Sequence, residues 1–113
     1  MAAGYQELFL EQGSDYATTI TLNDVDGSAY DLSNYTGKSQ MRKSYYSTNA
    51  TAEFVITIAD PTTGIIGISL DSANTANIAA GRYVYDVVIK TESNVKTRVL
   101  EGIVNVLPQV TVF

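Results

Sequence analysis

Apolar and polar residues alternate along most of this chain with the period of a β-strand. From Gly81 to Ile89, residues Tyr83, Tyr85, Val87 and Ile89 share one face, and Arg82, Val84, Asp86 and Val88 share the other. One fully apolar face and one mixed face suit the middle of an antiparallel sheet. The same reading gives a short first strand from Tyr5 to Leu10, with Leu8 and Leu10 on one side and Phe9 on the other. It gives a strand from Asp15 to Leu22 with Tyr16, Ile20 and Leu22 in phase, and a brief strand or extended return from Ser28 to Leu32. Lys38 to Tyr46 is a strand with Met41 as its core residue. Glu53 to Ala59 points Phe54, Ile56 and Ile58 inward, and Ile65 to Leu70 points Ile66, Ile68 and Leu70 inward. Val95 to Val106 returns as the antiparallel partner of the Gly81 strand, with a bulge expected at Gly102.

Turn residues separate these runs. Asn23-Asp24-Val25-Asp26-Gly27 is a hairpin turn, because glycine takes a positive φ without penalty. Tyr35 is expected to tuck under the sandwich end, and Asp60-Pro61-Thr62-Thr63-Gly64 is a further turn. Asp71 to Asn77 is the only helical candidate, capped by Asp71 or Ser72 and limited to a turn or two by its Asn and Thr content. Many short strands between turns predict an all-β, immunoglobulin-like antiparallel β-sandwich of about seven to nine strands with one short helical turn. The run Ala80-Gly81-Arg82-Tyr83-Val84-Tyr85 resembles the tyrosine corner of such sandwiches, with Tyr85 where antibody domains carry their second cysteine. The 113 residues form one domain, with residues 1–9 as an N-terminal arm or first strand and 107–113 as a C-terminal β-prone tail.

Composition narrows the chemistry. With no Cys there is neither a disulfide nor a thiolate metal site, and with no His the commonest general base and metal ligand are missing. Eight Tyr and no Trp make tyrosine the main aromatic packing unit. A net charge of −5 disfavours nucleic acid and anionic membrane as partners. No apolar run approaches the roughly 20 residues of a membrane span, and the first residues lack a signal-peptide pattern, so synthesis in a cytoplasm is expected.

No catalytic constellation emerges. The 23–27 turn is oxygen-rich but lacks the later Glu and flanking helices of an EF-hand. The carboxylates are scattered, and a small sandwich with short loops leaves little cleft for a glycosidase pair. The expectation is a non-enzyme without cofactor or metal. Asp86 and Glu101, near Arg82 and Arg98, read as outer-face ion-pair residues. Tyr45-Tyr46 beside Arg42 and Lys43 is either a small contact patch for a sugar or protein, or one inward and one edge-covering tyrosine. The tail from Leu107 to Phe113 either adds a strand to a neighbour or forms a last edge strand of its own domain. Candidate protein-contact residues are therefore Tyr5, Leu8, Leu10, Tyr45, Tyr46, Val110, Val112 and Phe113.

The ordered set of signals adds a family resemblance. Leu10-Glu11-Gln12-Gly13 leads to Asp24-Val25-Asp26-Gly27-Ser28-Ala29-Tyr30-Asp31-Leu32-Ser33-Asn34-Tyr35-Thr36. Met41-Arg42, Gly67-Ile68-Ser69-Leu70, Ala79-Ala80-Gly81-Arg82-Tyr83-Val84-Tyr85-Asp86 and Arg98-Val99-Leu100-Glu101-Gly102-Ile103-Val104-Asn105-Val106 follow. In this order they resemble a small β-sandwich domain of tailed bacteriophages and prophages, similar to the N-terminal domain of baseplate upper proteins. The resemblance spans residues 10 to 110. It implies a virion structural protein of the tail, baseplate or neck, a connector or adaptor, made in the host cytoplasm and located in the virion. It implies contacts with other virion structural proteins and a homo-oligomer in the particle. The alternatives are a capsid decoration (cement) protein of the same fold and a carbohydrate-binding or adhesion module.

Overall fold

The computed structural model describes residues 3–112 of the chain. Eight strands follow in order: β1 (Gly4–Tyr5), β2 (Leu8–Glu11), β3 (Tyr16–Thr21), β4 (Thr36–Arg42), β5 (Ala52–Thr57), β6 (Ile65–Leu70), β7 (Gly81–Lys90) and β8 (Lys96–Leu107). One helical turn, α1 (Ser72–Thr75), sits between β6 and β7, capped by Asp71, whose carboxylate accepts from the Asn74 N–H. A second helical turn, of 3-10 type, covers Pro61–Thr63, where the sequence suggests only a tight turn.

The strands form one continuous curled sheet in the order β1-β8-β7-β4-β5-β6-β3, with β2 also beside β8. β5 makes the fold a sandwich. Its first half pairs with β4 through Phe54↔Ser39, and its second half pairs with β6 through Val55↔Ser69. The chain thus passes from one layer to the other between Phe54 and Val55. The fold is an all-β, immunoglobulin-like sandwich. Its neighbouring strands run antiparallel except at the N-terminus, where β1 and β2 run parallel to β8.

The apolar phases of the strands converge on one core. Leu10, Met41, Ile66, Ile68, Val87, Ile89 and Val104 are fully enclosed within it. β7 lies inside the larger layer, between β4 and β8, and buries Tyr83, Tyr85, Val87 and Ile89 as its alternation predicts. The Tyr83 hydroxyl donates to the Ala79 carbonyl at 2.6 Å, which is the tyrosine-corner bond. Phe54, at the layer crossing, packs between Tyr16 of one layer and Tyr85 of the other, with ring centroids 6.4 and 6.1 Å away. Aromatic contacts thus join the layers where antibody domains use a disulfide.

Tyr85 also fixes the N-terminal strand. Its hydroxyl donates to the Gln6 carbonyl at 2.7 Å, and the Gln6 N–H donates to the Glu101 carbonyl at 3.0 Å. Gly102, opposite Tyr85 in the register, leaves room for this approach. A Cβ there would run into the Gln6 carbonyl and crowd the Tyr85 ring. Gly102 is therefore regularly paired, and the expected bulge lies elsewhere. Val87 pairs with Leu100 and Val88 with Arg98, so Val99 is the extra residue. The bulge lets both Val99 and Leu100 face the core.

One strand expectation is corrected, and residues 28–32 are the return and not a strand. The Lys38–Tyr46 strand ends at Arg42, because serines close a turn just beyond it: Ser47 N–H donates to the Ser44 carbonyl, and Ser44 N–H to the Ser47 hydroxyl. Residues 28–32 contribute only an isolated bridge, Asn23↔Ala29. There Asp26 and Asp31 each accept the N–H and hydroxyl of a serine two residues on, and such local bonds compete with a ladder. Those serine bonds hold both carboxyls below the ordinary carboxylate range, and Thr62 does the same for Asp60.

Burial pushes the Tyr85 phenol well above its ordinary range, with Tyr16 and Tyr5 adding to the effect. Burial also raises Tyr16, partly offset by a bond from Thr18. A phenol raised by folding leaves stability intact below the unfolded value of about 10 and withdraws it as pH climbs above. Urea unfolding is therefore expected to show constant stability from about pH 7 to 9 and a falling one above about pH 10. Tyr85→Phe is expected to flatten that fall and to cost about 1 kcal/mol at neutral pH. Gly102→Ala is expected to cost about 2–3 kcal/mol through overpacking. A wild-type profile flat through the tyrosine range would refute the burial account.

Candidate contact surfaces

The residues expected to touch partners separate into three groups. Leu8 and Leu10 are corrected: at 2% and 0% exposure they are core residues, because parallel pairing with β8 turns that face of β2 inward. Tyr5 and, on the opposite face of β2, Phe9 stay exposed. Phe9 belongs with the contact candidates, and the alternation that put it opposite Leu8 and Leu10 was the signal for it. Phe113 lies outside the described residues.

Tyr45 and Tyr46 both point to solvent, Tyr46 at 96% exposure, so neither packs inward as one reading required. Their loop is held firmly. The Arg42 guanidinium donates to the Ser47 and Thr48 carbonyls at 3.0 and 2.9 Å and to the Gln40 side chain at 2.9 Å. The Thr51 N–H closes the loop onto the Met41 carbonyl at 2.7 Å.

The tail divides at Gln109. Leu107 belongs to β8, paired with Glu11, and its carbonyl accepts from the Gln12 N–H at 3.0 Å. The Gln12 side chain then clasps two segments. Its oxygen accepts from the Gln109 N–H at 3.1 Å, and its nitrogen donates to the Ile78 carbonyl at 2.7 Å. Beyond this clasp Val110 and Val112 are exposed, Val110 at 98%. The tail is neither a last edge strand nor wholly free.

The outer face of the larger layer carries the charges. The register sets Glu101 directly opposite Asp86, a like-charge cross-strand pair that is unfavourable alone. Arg98 sits between them, its Nε 3.3 Å from Asp86 Oδ2 and its guanidinium 3.2 Å from Glu101 Oε2. Arg82 lies two steps along β7, opposite Asn105. Lys38 and Glu53 form a longer exposed pair at 4.0 Å. Exposed pairs of this kind contribute at most about 1 kcal/mol each.

Two shallow depressions lie on this face. One, of about 270 Å³, is lined by Gln40, Arg42, Tyr45, Asp86, Arg98 and Glu101 among others. Beside it, a depression of about 530 Å³ runs from Thr36 and Lys38 to Lys90 and Lys96. A third, of about 360 Å³, opens between β1 and β3. Among the described residues, no group of three or more acidic side chains gathers as a metal cage would require. Among the described residues, no helix is long and apolar enough to cross a membrane.

No protein-family model matches the chain, and no curated protein matches it. Several solved structures align with it. CopC from Methylosinus trichosporium OB3b aligns over 100% of this chain and 91% of its own at 9% identity, with a TM-score of 0.49. The Lin-41 filamin domain aligns over 80% and 81% at 14% identity, with a TM-score of 0.42. A chain from a structure of T cell activation by the bacterial superantigen toxic shock syndrome toxin-1 aligns over 89% and 92% at 14% identity, with a TM-score of 0.48. At such identities and TM-scores these alignments carry no functional argument.

The Gln12 clasp implies two distinct outcomes in urea unfolding. Gln12→Ala is expected to lower stability by about 1–2 kcal/mol, because two bridging hydrogen bonds are lost. Removing residues 110–113 is expected to change stability by less than about 0.5 kcal/mol. The reverse order would mean that the tail, and not the clasp, holds this end together.

Proposed function

We propose that this chain is a structural protein of a tailed-phage virion, acting in the tail, baseplate or neck through contacts with neighbouring subunits. One observation carries the contact role. Beyond Val25 and Val95 in turns and Val55 and Ile65 on the outer faces of β5 and β6, the exposed large apolar side chains gather at strand edges and chain ends: Tyr5 and Phe9 on the N-terminal strand, Tyr45 and Tyr46 on the loop after β4, Leu107 at the end of β8, and Val110 and Val112 beyond the Gln12 clasp. A rigid core with apolar residues at its margins suits a piece fitted between neighbours. The ordered sequence resemblance to phage sandwich domains supplies the virion class. Homo-oligomerisation and contacts with other virion proteins belong to the same proposal.

A carbohydrate-binding role has one observation on its side, the exposed Tyr45 ring at the rim of the depression lined by Gln40 and Arg42. Against it, Asp86, Arg98 and Glu101 in that depression already engage one another. Selective glycan-array binding abolished by Tyr45→Ala would favour that reading.

The direct test is location. Purified particles are disrupted, heads and tails are separated, and each fraction is probed with an antibody raised against this chain. Signal in the tail fraction is expected. Signal confined to heads would replace the tail role with capsid decoration, and absence from particles would overturn the virion reading.

A further inference from the structure

The two outer edges of the sheet are built differently. The N-terminal edge is broken between β1 and β2 at Gln6 and Glu7, and it carries Glu7 and Glu11. Breaks and charges of this kind keep an edge from pairing with a further strand. β3, the opposite edge, has neither. Tyr16–Thr21 contains no charge, Pro or Gly, pairs with β6 without a shift in register, and ends its layer. The uncharged stretch continues through Asn23.

The free hydrogen-bonding groups can be assigned. The Leu22 N–H donates to the Gly64 carbonyl at 2.7 Å, on the β6 side. Bonding direction alternates along an antiparallel strand. Tyr16, Thr18 and Ile20 therefore turn their backbone groups to β6, while Ala17, Thr19 and Thr21 turn theirs outward. All three of the latter have exposed side chains. The turn after β3 folds back beside Gly64, with the Tyr30 N–H on the Leu22 carbonyl, and does not pair with this edge.

We propose that β3 pairs antiparallel with β3 of a second copy of this chain, about a two-fold axis at Thr19, joining two β5-β6-β3 layers into one sheet. A two-fold axis normal to the sheet keeps core-facing residues opposite core-facing residues. Centred on Thr19, it sets Ala17 against Thr21 of the second copy and Thr19 against Thr19, so the outward backbone groups bond one another. On the core face it sets Thr18 against Ile20 and Tyr16 against Leu22 of the second copy. Asp15 then meets Asn23 rather than another carboxylate. An axis at Thr18 would instead set Thr21 against Asp15, outside the strand.

Charge selects the occupant. Two copies of net charge −5 repel each other as wholes, and β3, uncharged from Tyr16 to Asn23, is a strip that adds no local like-charge contact when they meet there, since the two-fold register sets Asp15 against Asn23. A basic partner would gain nothing from this neutral strip. The pairing does not depend on the virion location: absence from particles would leave it standing, and failure of β3 to pair would leave the tail location standing, with any homo-oligomer in the particle formed through other surfaces.

The chain has no cysteine, so one introduced thiol reports the register without interference. Thr19→Cys places the two Cα atoms about 5.5 Å apart, within disulfide reach. Ala17→Cys places them four residues apart along the strand, about 13 Å, beyond that reach. After mild oxidation of each variant at roughly 100 μM, where weak contacts are populated, non-reducing gels are expected to show at least about tenfold more covalent dimer for Thr19→Cys. In sedimentation velocity the unaltered chain is expected to contain dimer, and Thr19→Lys is expected to be monomeric with unchanged far-UV circular dichroism. No dimer for Thr19→Cys, equal dimer for both cysteine variants, or sedimentation of Thr19→Lys identical to the unaltered chain would each overturn the proposal.

Discussion

The course of the N-terminal strand depends on one ring and one missing Cβ. Tyr85 packs against Phe54 between the layers, and its hydroxyl crosses beside Gly102 to the Gln6 carbonyl. The bond falls at the break between β1 and β2, so the strand is pinned at its weakest point. Parallel pairing with β8 then buries Leu8 and Leu10 in the core. Without that anchor the strand would rely on a short ladder, those two side chains and the Gln12 clasp at its far end.

Pinning the N-terminal strand to β8 has a consequence across the molecule. That strand adds to the larger layer and leaves β3 as the unpaired margin of the smaller one. The opening between β1 and β3 marks where the two layers fail to meet. The larger layer meanwhile turns a charged face outward, with Arg98 holding Asp86 and Glu101 together. One broad face thus carries charges, of which Asp86, Arg98 and Glu101 are tied together, while a narrow edge is uncharged and unsatisfied in its backbone. Hydrogen-bonding capacity that sits on an edge favours contact with another chain over capture of a small molecule.

Period-two alternation made most of the fold legible. It gave the inward residues of β3, β6 and β7 and the core role of Met41, because burial on one face imposes that pattern directly. The Tyr83 corner was legible from its local spacing. What escaped was set by distant or competing contacts. Gly102 reads as a bulge residue in isolation, and only the approach of Gln6 gives its actual role. β4 stops at Arg42 because serine bonds win over propensity, and residues 28–32 stay irregular because Asp26 and Asp31 bond locally. Of the contact candidates, the exposure of terminal Val110 was legible, whereas the sequence left open whether one of Tyr45 and Tyr46 packs inward. Leu8 and Leu10 were not, since the sequence carries no mark of which strand the first one joins. The openness of the β3 edge was equally hidden, because strand order is a property of the assembled sheet.

Everything in the proposed pairing rests on β3 being an open edge that meets a like edge. Amide hydrogen exchange read residue by residue, in dilute and concentrated solution, tests it most directly. Fast exchange is expected at Ala17, Thr19 and Thr21 in dilute solution, with protection of these three on concentration and steady protection of Thr18 and Ile20 throughout. Exchange at Ala17, Thr19 and Thr21 that is equally fast at every concentration, or already slow in dilute solution, would contradict it.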